Sequence, residues 1–139
     1  HTPGHTVDSV CFDVRVAAEP ERAVLTGDTI LGRGTTVLSD LGDYLASLAT
    51  LSAMPEGIPA LPGHGPEQPD LAALAADYLE HRRQRLDQVR AALRRLGPDA
   101  SARAVVELVY ADVDPALWGP AEHSVRAQLA YLAAQEETT

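Results

Sequence analysis

Three short segments of the sequence carry side chains that could ligate a metal ion. They are His1-Thr2-Pro3-Gly4-His5-Thr6, Leu25-Thr26-Gly27-Asp28-Thr29 and Leu61-Pro62-Gly63-His64-Gly65-Pro66. Two of the histidines directly follow Pro-Gly. Glycine permits the turn that directs an imidazole inward, and proline restricts the backbone that leads into this turn. Two imidazoles and a carboxylate form a donor set that Zn²⁺ accepts, and a carboxylate can bridge two ions. A single histidine in a loop is more often an exposed residue without a functional role. The prediction of a metal site therefore depends on the combination of the three segments.

Each of these segments lies in a loop that follows, or should follow, a strand. Apolar and polar residues alternate over Ser9–Val16, which predicts a strand. A turn at Ala18–Glu21 would join it to a second strand at Arg22–Thr26, giving a hairpin. Ile58–Leu61 is a short apolar strand that leads into the third segment.

Helical periodicity dominates the rest of the chain. Ser39 or Asp40 can cap a first helix, and Asp70 can cap a long second helix that Gly97 ends. Further helices are predicted in the tail, near Ala102–Tyr110 and Ala121–Ala134. The predicted order is β-β-α-β-α followed by an all-helical tail.

The three segments, in this order, resemble the second half of the metallo-β-lactamase fold. HTPGHT, GD and PGHG match that family's third, fourth and fifth metal motifs. The tracts GDTILGRGTTV and DLGDYLASL are similar to the branch that contains lactamase-like endoribonucleases, whose chains end in a winged-helix domain. The resemblance implies an α/β fold: half of an αβ/βα sandwich over residues 1–78, then a linker helix and a winged-helix-like domain over residues 79–139.

The resemblance also assigns ligand roles in a two-zinc centre. His5 corresponds to a ligand of the first zinc, Asp28 to the carboxylate that bridges both ions, and His64 to a ligand of the second zinc. We therefore expect their ligating atoms to converge at one edge of the sheet, within about 3–5 Å of one another.

The family's main metal motif, HxHxDH, does not occur in this sequence. We therefore interpret the chain as roughly the C-terminal half of a longer parent protein, with negligible catalysis by this piece alone. One layer of a sandwich cannot bury its own inner face. The face bearing Val10, Phe12, Val14 and Leu25 is accordingly expected to be exposed, and to pack in the parent against the N-terminal half or a dimer mate.

The implied parent is a zinc-dependent hydrolase in which metal-bound hydroxide attacks its substrate. By resemblance the first expected substrate is an RNA phosphodiester, and the second is a thioester or other acyl compound such as an acyl-CoA. The alternative is a non-catalytic binding module that retains a residual metal site. Within Gly32–Thr36, which lacks the Gly-Lys-Ser/Thr ending of a phosphate-binding P-loop, we expect Thr35 and Thr36 to expose their hydroxyls at the floor of the substrate cleft.

A cluster of arginines in the long helix has two possible interpretations. Residues 80–95 hold six arginines against two acids, a local charge of +4. Either this is a solvated helix face with i,i+4 ion pairs, or Arg82 or Arg85 lies near the cleft mouth and attracts an anionic substrate.

Composition excludes several classes of protein. The 139 residues carry a net charge of −9, which disfavours general binding to nucleic-acid phosphates. The recognition helix of a winged helix is expected at residues 120–137. These residues contain one cation, Arg126, so we predict that the helix does not recognise DNA. No stretch is apolar enough to span a membrane, and the single cysteine suits a reducing cytosol.

Overall fold

A computed structural model describes residues 1–15, 17 and 20–137. Its sheet has three strands, β1 (Phe12–Arg15), β2 (Arg22–Gly27) and β3 (Ala60–Pro62), in the order β1-β2-β3. Strand β1 runs antiparallel to β2, and β3 runs parallel to β2. The helices are α1 (Leu41–Ser52), α2 (Leu71–Leu96), α3 (Ala102–Val109) and α4 (Trp118–Glu137), with a 3₁₀ turn over Pro115–Leu117 before α4. The mixed α/β architecture agrees with the predicted fold class.

One face of the sheet is covered by helices, and the other face is bare. Val24 and Ala60, which lie opposite each other on β2 and β3, are fully buried in the core with α1 and α2. On the other face Phe12 is paired with Leu25, and their exposed fractions are 62% and 42%. Helices cover one side of the sheet, and large apolar side chains remain in solvent on the other.

The helix starts follow the predicted caps. The carboxylate of Asp40 accepts from the Asp43 amide at 2.8 Å, which selects Asp40 over Ser39 as the α1 cap. The carboxylate of Asp70 accepts from the Ala73 amide at 3.0 Å and starts α2. Helix α2 ends at Gly97, whose φ of 101° is a conformation that favours glycine.

Helix α2 connects the two parts of the chain. It packs against α1 beside the sheet and against α3 in the helical tail. It runs unbroken through residues 78 and 79, the domain boundary proposed from the sequence. That boundary stays a prediction.

Several element bounds differ from the sequence prediction for identifiable reasons. Strand β1 begins at Phe12, because the carbonyl of Ser9 instead accepts from the Thr2 amide and closes the first loop. Strand β3 begins at Ala60, after Ile58 has accepted from the first amide of α2. Helix α4 begins earlier than predicted, at Trp118, continuing the preceding 3₁₀ turn. Val16, Ala18 and Glu19 of the predicted hairpin lie outside the described residues.

No helix in the described ranges combines the length and the apolar character needed to cross a membrane.

Candidate metal centre

The carboxylate of Asp28 lies between the two histidines that the sequence predicts as ligands. Asp28 follows the last residue of β2. Its Oδ2 lies 3.6 Å from Nε2 of His5, and its Oδ1 lies 3.6 Å from Nε2 of His64. Asp28 therefore lies close to both histidines, each of which faces a different oxygen of the one carboxylate. That these side chains hold a metal stays a prediction.

The imidazole of His5 is oriented through its other nitrogen. Nδ1 lies 2.8 Å from the carbonyl oxygen of Val37. Because a carbonyl can only accept, Nδ1 carries a proton in this contact, and Nε2 is the ring nitrogen that faces Asp28. This is the arrangement that a metal-ligating histidine needs, with its outer N–H held by the protein.

The loop that carries His5 is attached to the start of α1. The carbonyl of Gly4 accepts from the amides of Ser39 and Asp40, at 2.8 and 3.1 Å. Gly4 has a φ of 129°, and a β-carbon there would lie 2.4 Å from the Cα of Tyr44. Glycine is therefore required at this position both for the turn and for the close approach. His1 contributes a hydrogen bond from Nε2 to the carbonyl of Val7, at 2.8 Å, within the same loop.

The His64 loop is fastened to the Asp28 loop by its backbone. The amide of Gly63 donates to the Gly27 carbonyl at 2.9 Å, and the amide of Gly32 donates to the His64 carbonyl at 2.9 Å. A β-carbon on Gly32 would lie 2.0 Å from the Pro66 carbonyl oxygen. The side chain of His64 itself is open to solvent, with an exposed fraction of 74%.

A chain of largely buried hydrogen bonds holds the backbone of Asp28 in place. The hydroxyl of Thr36 donates to the Asp28 carbonyl at 2.7 Å, and Nη2 of Arg82 donates to the Thr36 carbonyl at 2.7 Å. The Arg82 guanidinium lies over the Tyr44 ring, 5.3 Å from its centroid. The Tyr44 hydroxyl donates to the Thr29 carbonyl at 2.7 Å, and burial raises the pKa of Tyr44 to about 12, which keeps this donor protonated.

These contacts correct two expectations. Arg82 does not belong to a solvated helix face, because only 4% of it is exposed and it lies in the wall of a cavity. The helical spacing held a signal for this, since Arg82 lies four residues after Tyr78 and four before Leu86, on the same helix face as these two apolar residues. The hydroxyl of Thr36 is buried and bonded to Asp28, so it is not exposed as expected, whereas Thr35 is exposed.

Thr35, Thr36 and Arg82, the predicted substrate-binding residues, line one cavity of about 240 Å³. The cavity lies between the loop at residues 35–37, helix α2 and the segment from Tyr110 to Ser124 in the helical tail. Their role in binding a substrate stays a prediction. The structure nevertheless brings the three together beside the loop that supports Asp28.

The donors around Asp28 suit a metal ion in type but fall short in number. Two neighbouring ligands in a tetrahedral zinc site lie roughly 3.3 Å apart, close to the separations of Asp28 from His5 and His64. Across the described residues, however, no group of three or more His, Cys, Asp and Glu side chains meets the requirements of a metal site. Within the described residues, Asp28, His5 and His64 supply suitable donors but do not make up a metal site by themselves.

Comparison with known proteins identifies the helical tail. The family model of the beta-lactamase associated winged helix domain matches residues 101–138. That range contains α3, the 3₁₀ turn and α4.

Curated relatives match most of this chain. It is 35% identical to lactamase-like protein aptB of Emericella nidulans over 94% of this chain and 40% of that protein. It is 37% identical to the beta-lactamase-like protein 2 homolog of Drosophila melanogaster over 95% of this chain and 44% of that protein. An atrochrysone carboxyl ACP thioesterase of Aspergillus chevalieri is 44% identical over 68% of this chain and 29% of its own length. The chain thus spans less than half the length of these relatives.

Solved structures share the fold. A beta-lactamase domain protein from Burkholderia ambifaria superposes with a TM-score of 0.66 and 25% identity, over 81% of this chain and 36% of that one. A metallo-beta-lactamase family protein from Thermus thermophilus gives a TM-score of 0.65 and 20% identity, over 82% of this chain and 37% of that one.

Proposed function

We propose that this chain, which has the metallo-β-lactamase fold and carries the associated winged helix, is the C-terminal part of a metal-dependent hydrolase. One observation carries the proposal. The two oxygens of Asp28 each face the Nε2 of a different histidine at 3.6 Å, in loops whose backbones are tied together. A carboxylate between two imidazoles, at the end of a strand and open to solvent on one side, is suited to bridging two metal ions.

Zinc is the metal that we propose, because two imidazoles and a carboxylate are donors that it accepts. Asp28 would bridge the ions, and His5 and His64 would each bind one of them. Bound zinc would supply Lewis-acid activation of water and of the scissile bond. The chain's own residues hold the donors in place: Val37 fixes the His5 ring, and Thr36 anchors the Asp28 backbone.

We further propose that the other ligands come from a preceding half of the same sandwich in the parent protein. Support comes from the bare face of the sheet, where Phe12, Val14 and Leu25 are 62%, 44% and 42% exposed. Apolar surface of this kind marks an interface in a folded protein. The short span of the chain relative to its relatives agrees with this proposal.

For the substrate we favour an acyl compound such as a thioester. The cavity beside the Asp28 loop is small and partly apolar, with Val37, Tyr110 and Leu117 among its walls, which suits a small organic group better than an extended strand of RNA. The acidic charge of the chain disfavours RNA for the same reason that it disfavours DNA. A relative named as an ACP thioesterase is consistent with this choice.

RNA phosphodiester cleavage, the first substrate expected from the sequence, is here the second candidate, and one observation favours it. The arginine-rich stretch of α2 gives a local charge of +4 in residues 80–95, and Arg83 on it is exposed. Exposed arginines can contact phosphates.

A paired assay of the parent protein tests these proposals. Metal content is measured by elemental analysis, and hydrolysis is measured on an acyl-CoA and on a single-stranded oligoribonucleotide, for the wild type and for Asp28→Asn. We expect bound zinc, acyl-CoA hydrolysis, and loss of both in Asp28→Asn. Zinc-dependent cleavage of the oligoribonucleotide alone would replace the acyl substrate by RNA. A wild-type protein with neither metal nor turnover would favour a non-catalytic binding module.

A further inference from the structure

The cavity between helix α2 and the winged helix has a cationic wall that lacks acidic partners. His81, Arg82 and Arg85 line it from α2, and none of its lining residues is an Asp or a Glu. Among the described residues, neither Arg82 nor Arg85 has a carboxylate within 4.0 Å. In a chain of net charge −9, two arginines without an acidic partner at one cavity are an unusual concentration of positive charge.

The hydrogen bonding of these arginines is incomplete. Arg82 is 4% exposed, and its Nε is buried with no hydrogen-bond partner in the described structure. Arg85 uses Nη1 to donate to Gln88 at 2.8 Å, and its guanidinium lies 4.8 Å from the centroid of the Tyr110 ring. A buried guanidinium without a counter-charge is costly, so an anion bound beside it is favoured.

His81 does not add a third fixed charge at neutral pH. Burial, followed by the neighbouring Arg82 and Arg85, lowers the pKa of His81 below its ordinary value of 6.5. At neutral pH the imidazole is therefore mostly uncharged, and the attraction for an anion comes from the two arginines.

The remaining walls of the cavity are apolar or carry hydroxyls. Val113, Leu117 and Pro120 contribute apolar surface from the winged helix, and Ser124 places a hydroxyl there. A volume of about 240 Å³ lies just below the roughly 300 Å³ at which ligand pockets typically start, so the cavity can hold only a small organic molecule. A ligand that matches this lining has one anionic end and an apolar body.

We propose that this cavity is a binding site for a small organic carboxylate, with Arg85 and Arg82 binding the carboxylate and the winged helix contacting the apolar body. The inference rests on the proposed function. It places the end of the acyl substrate that carries a carboxylate in this cavity. The cavity and the metal centre share the loop at residues 35–37: Val37 lines the cavity, and its carbonyl accepts from His5. The winged helix thereby forms one wall of the substrate site.

Isothermal titration of the parent protein with hexanoate tests the proposal, after removal of metal by a chelator. Hexanoate should bind at one saturable site per chain. The alcohol 1-hexanol, which has the same apolar body without the charge, should bind at least about tenfold more weakly than hexanoate. Arg85→Gln should weaken hexanoate binding by about tenfold or more, because a hydrogen bond to a charged group is lost. Arg83→Gln, the same change on an exposed part of α2 outside the cavity lining, should leave it unchanged.

The possible outcomes separate this inference from the proposed function. Equal binding of hexanoate and 1-hexanol, or an unaltered affinity in Arg85→Gln, would overturn the carboxylate site. Inorganic phosphate binding as tightly as hexanoate would overturn the organic part of the assignment. Displacement of hexanoate by a short oligoribonucleotide would assign the cavity to RNA instead. Hexanoate binding in a protein without hydrolase activity would reject the proposed function and leave the cavity assignment standing.

Discussion

Gly63 and Asp28 approach each other so closely that a side chain on the first would displace the second. A β-carbon built on Gly63 would lie 2.9 Å from Oδ1 of Asp28, the oxygen that faces His64. Real β-carbons essentially never come this close to another heavy atom. The glycine before His64 therefore provides the space in which the carboxylate sits between the two histidines.

Replacing Gly63 should damage the metal centre and spare the fold. In Gly63→Ala the carboxylate must rotate away, because the neighbouring Gly27 backbone, 3.3 Å from the same β-carbon, has less freedom to move. We expect a large loss of bound zinc in the parent protein, with a free energy of unfolding within about 1 kcal/mol of the wild type. Elemental analysis and urea denaturation measure the two quantities.

Gly119→Ala is the matched control for that variant. A β-carbon on Gly119 meets no atom within 4 Å, so zinc content should not change. If Gly63→Ala retained a full complement of zinc, the close approach to Asp28 would have no functional meaning.

Asp28 and His64 should differ in their effects on metal binding. Asp28→Ala removes a donor that would serve both ions, whereas His64→Ala removes a ligand of one. We expect Asp28→Ala to lose metal and activity together, by more than the roughly 10–100-fold that outer-shell changes cost. His64→Ala should lose chiefly one ion and keep some activity in excess zinc. Two zinc ions and near-normal turnover in Asp28→Ala would make Asp28 an ordinary turn residue.

The site residues could be predicted from the sequence because their signals are local. Pro-Gly before His5 and His64, and a strand end before Asp28, place each donor in a loop by short-range rules. The caps at Asp40 and Asp70 were predictable for the same reason, since a cap bonds amides only three residues away.

The residues that support the site could not be predicted because their contacts are distant in sequence. Arg82 bonds to Thr36 across 46 positions, and an arginine in a helix of charged residues resembles a solvent-exposed one. The alternation over Ser9–Val16 places the start of β1 too early for a different reason. The Ser9 carbonyl accepts from the Thr2 amide in the first loop instead of pairing within the sheet, and this loop hydrogen bond overrides the local alternation.

Arg82 should contribute to stability as well as to the site. Arg82→Met would leave the buried Thr36 carbonyl without its donor at 2.7 Å and remove the cation above Tyr44. We expect a loss of about 1–3 kcal/mol in the free energy of unfolding, measured by urea denaturation, because the unsatisfied Thr36 carbonyl and the lost Tyr44 contact outweigh the relief from removing a buried charge. Arg83→Met, on the exposed side of α2, should change it by less than about 0.5 kcal/mol. Equal effects of the two substitutions would contradict the structural role of Arg82.

Asp70 should make stability fall in acid. Hydrogen bonds from the amides of Ala73 and Gly57 lower the pKa of Asp70 below its ordinary value of 3.8. Because the folded-state pKa is the lower one, this contribution is present above about pH 4 and is lost as the pH falls through the folded-state pKa. Asp70→Asn keeps an acceptor for the cap and cannot titrate, so its unfolding free energy should decline less steeply below pH 4. Parallel acid dependence in the wild type and Asp70→Asn would exclude this contribution.

The bare face of the sheet should behave as an interface when the preceding half is present. Phe12 is 62% exposed in this chain, so Phe12→Ala should hardly alter the stability of the chain alone. If the preceding half covers it, the same substitution in the parent protein should cost about 3–5 kcal/mol, as for a buried phenylalanine. Leu96→Ala, at a 45% exposed position at the end of α2, is the control and should have small effects in both proteins. The chain alone should also bind a hydrophobic dye or dimerise in light scattering. A small effect of Phe12→Ala in the parent, together with a strictly monomeric chain that binds no dye, would refute the proposal that this face packs against the other half of the sandwich.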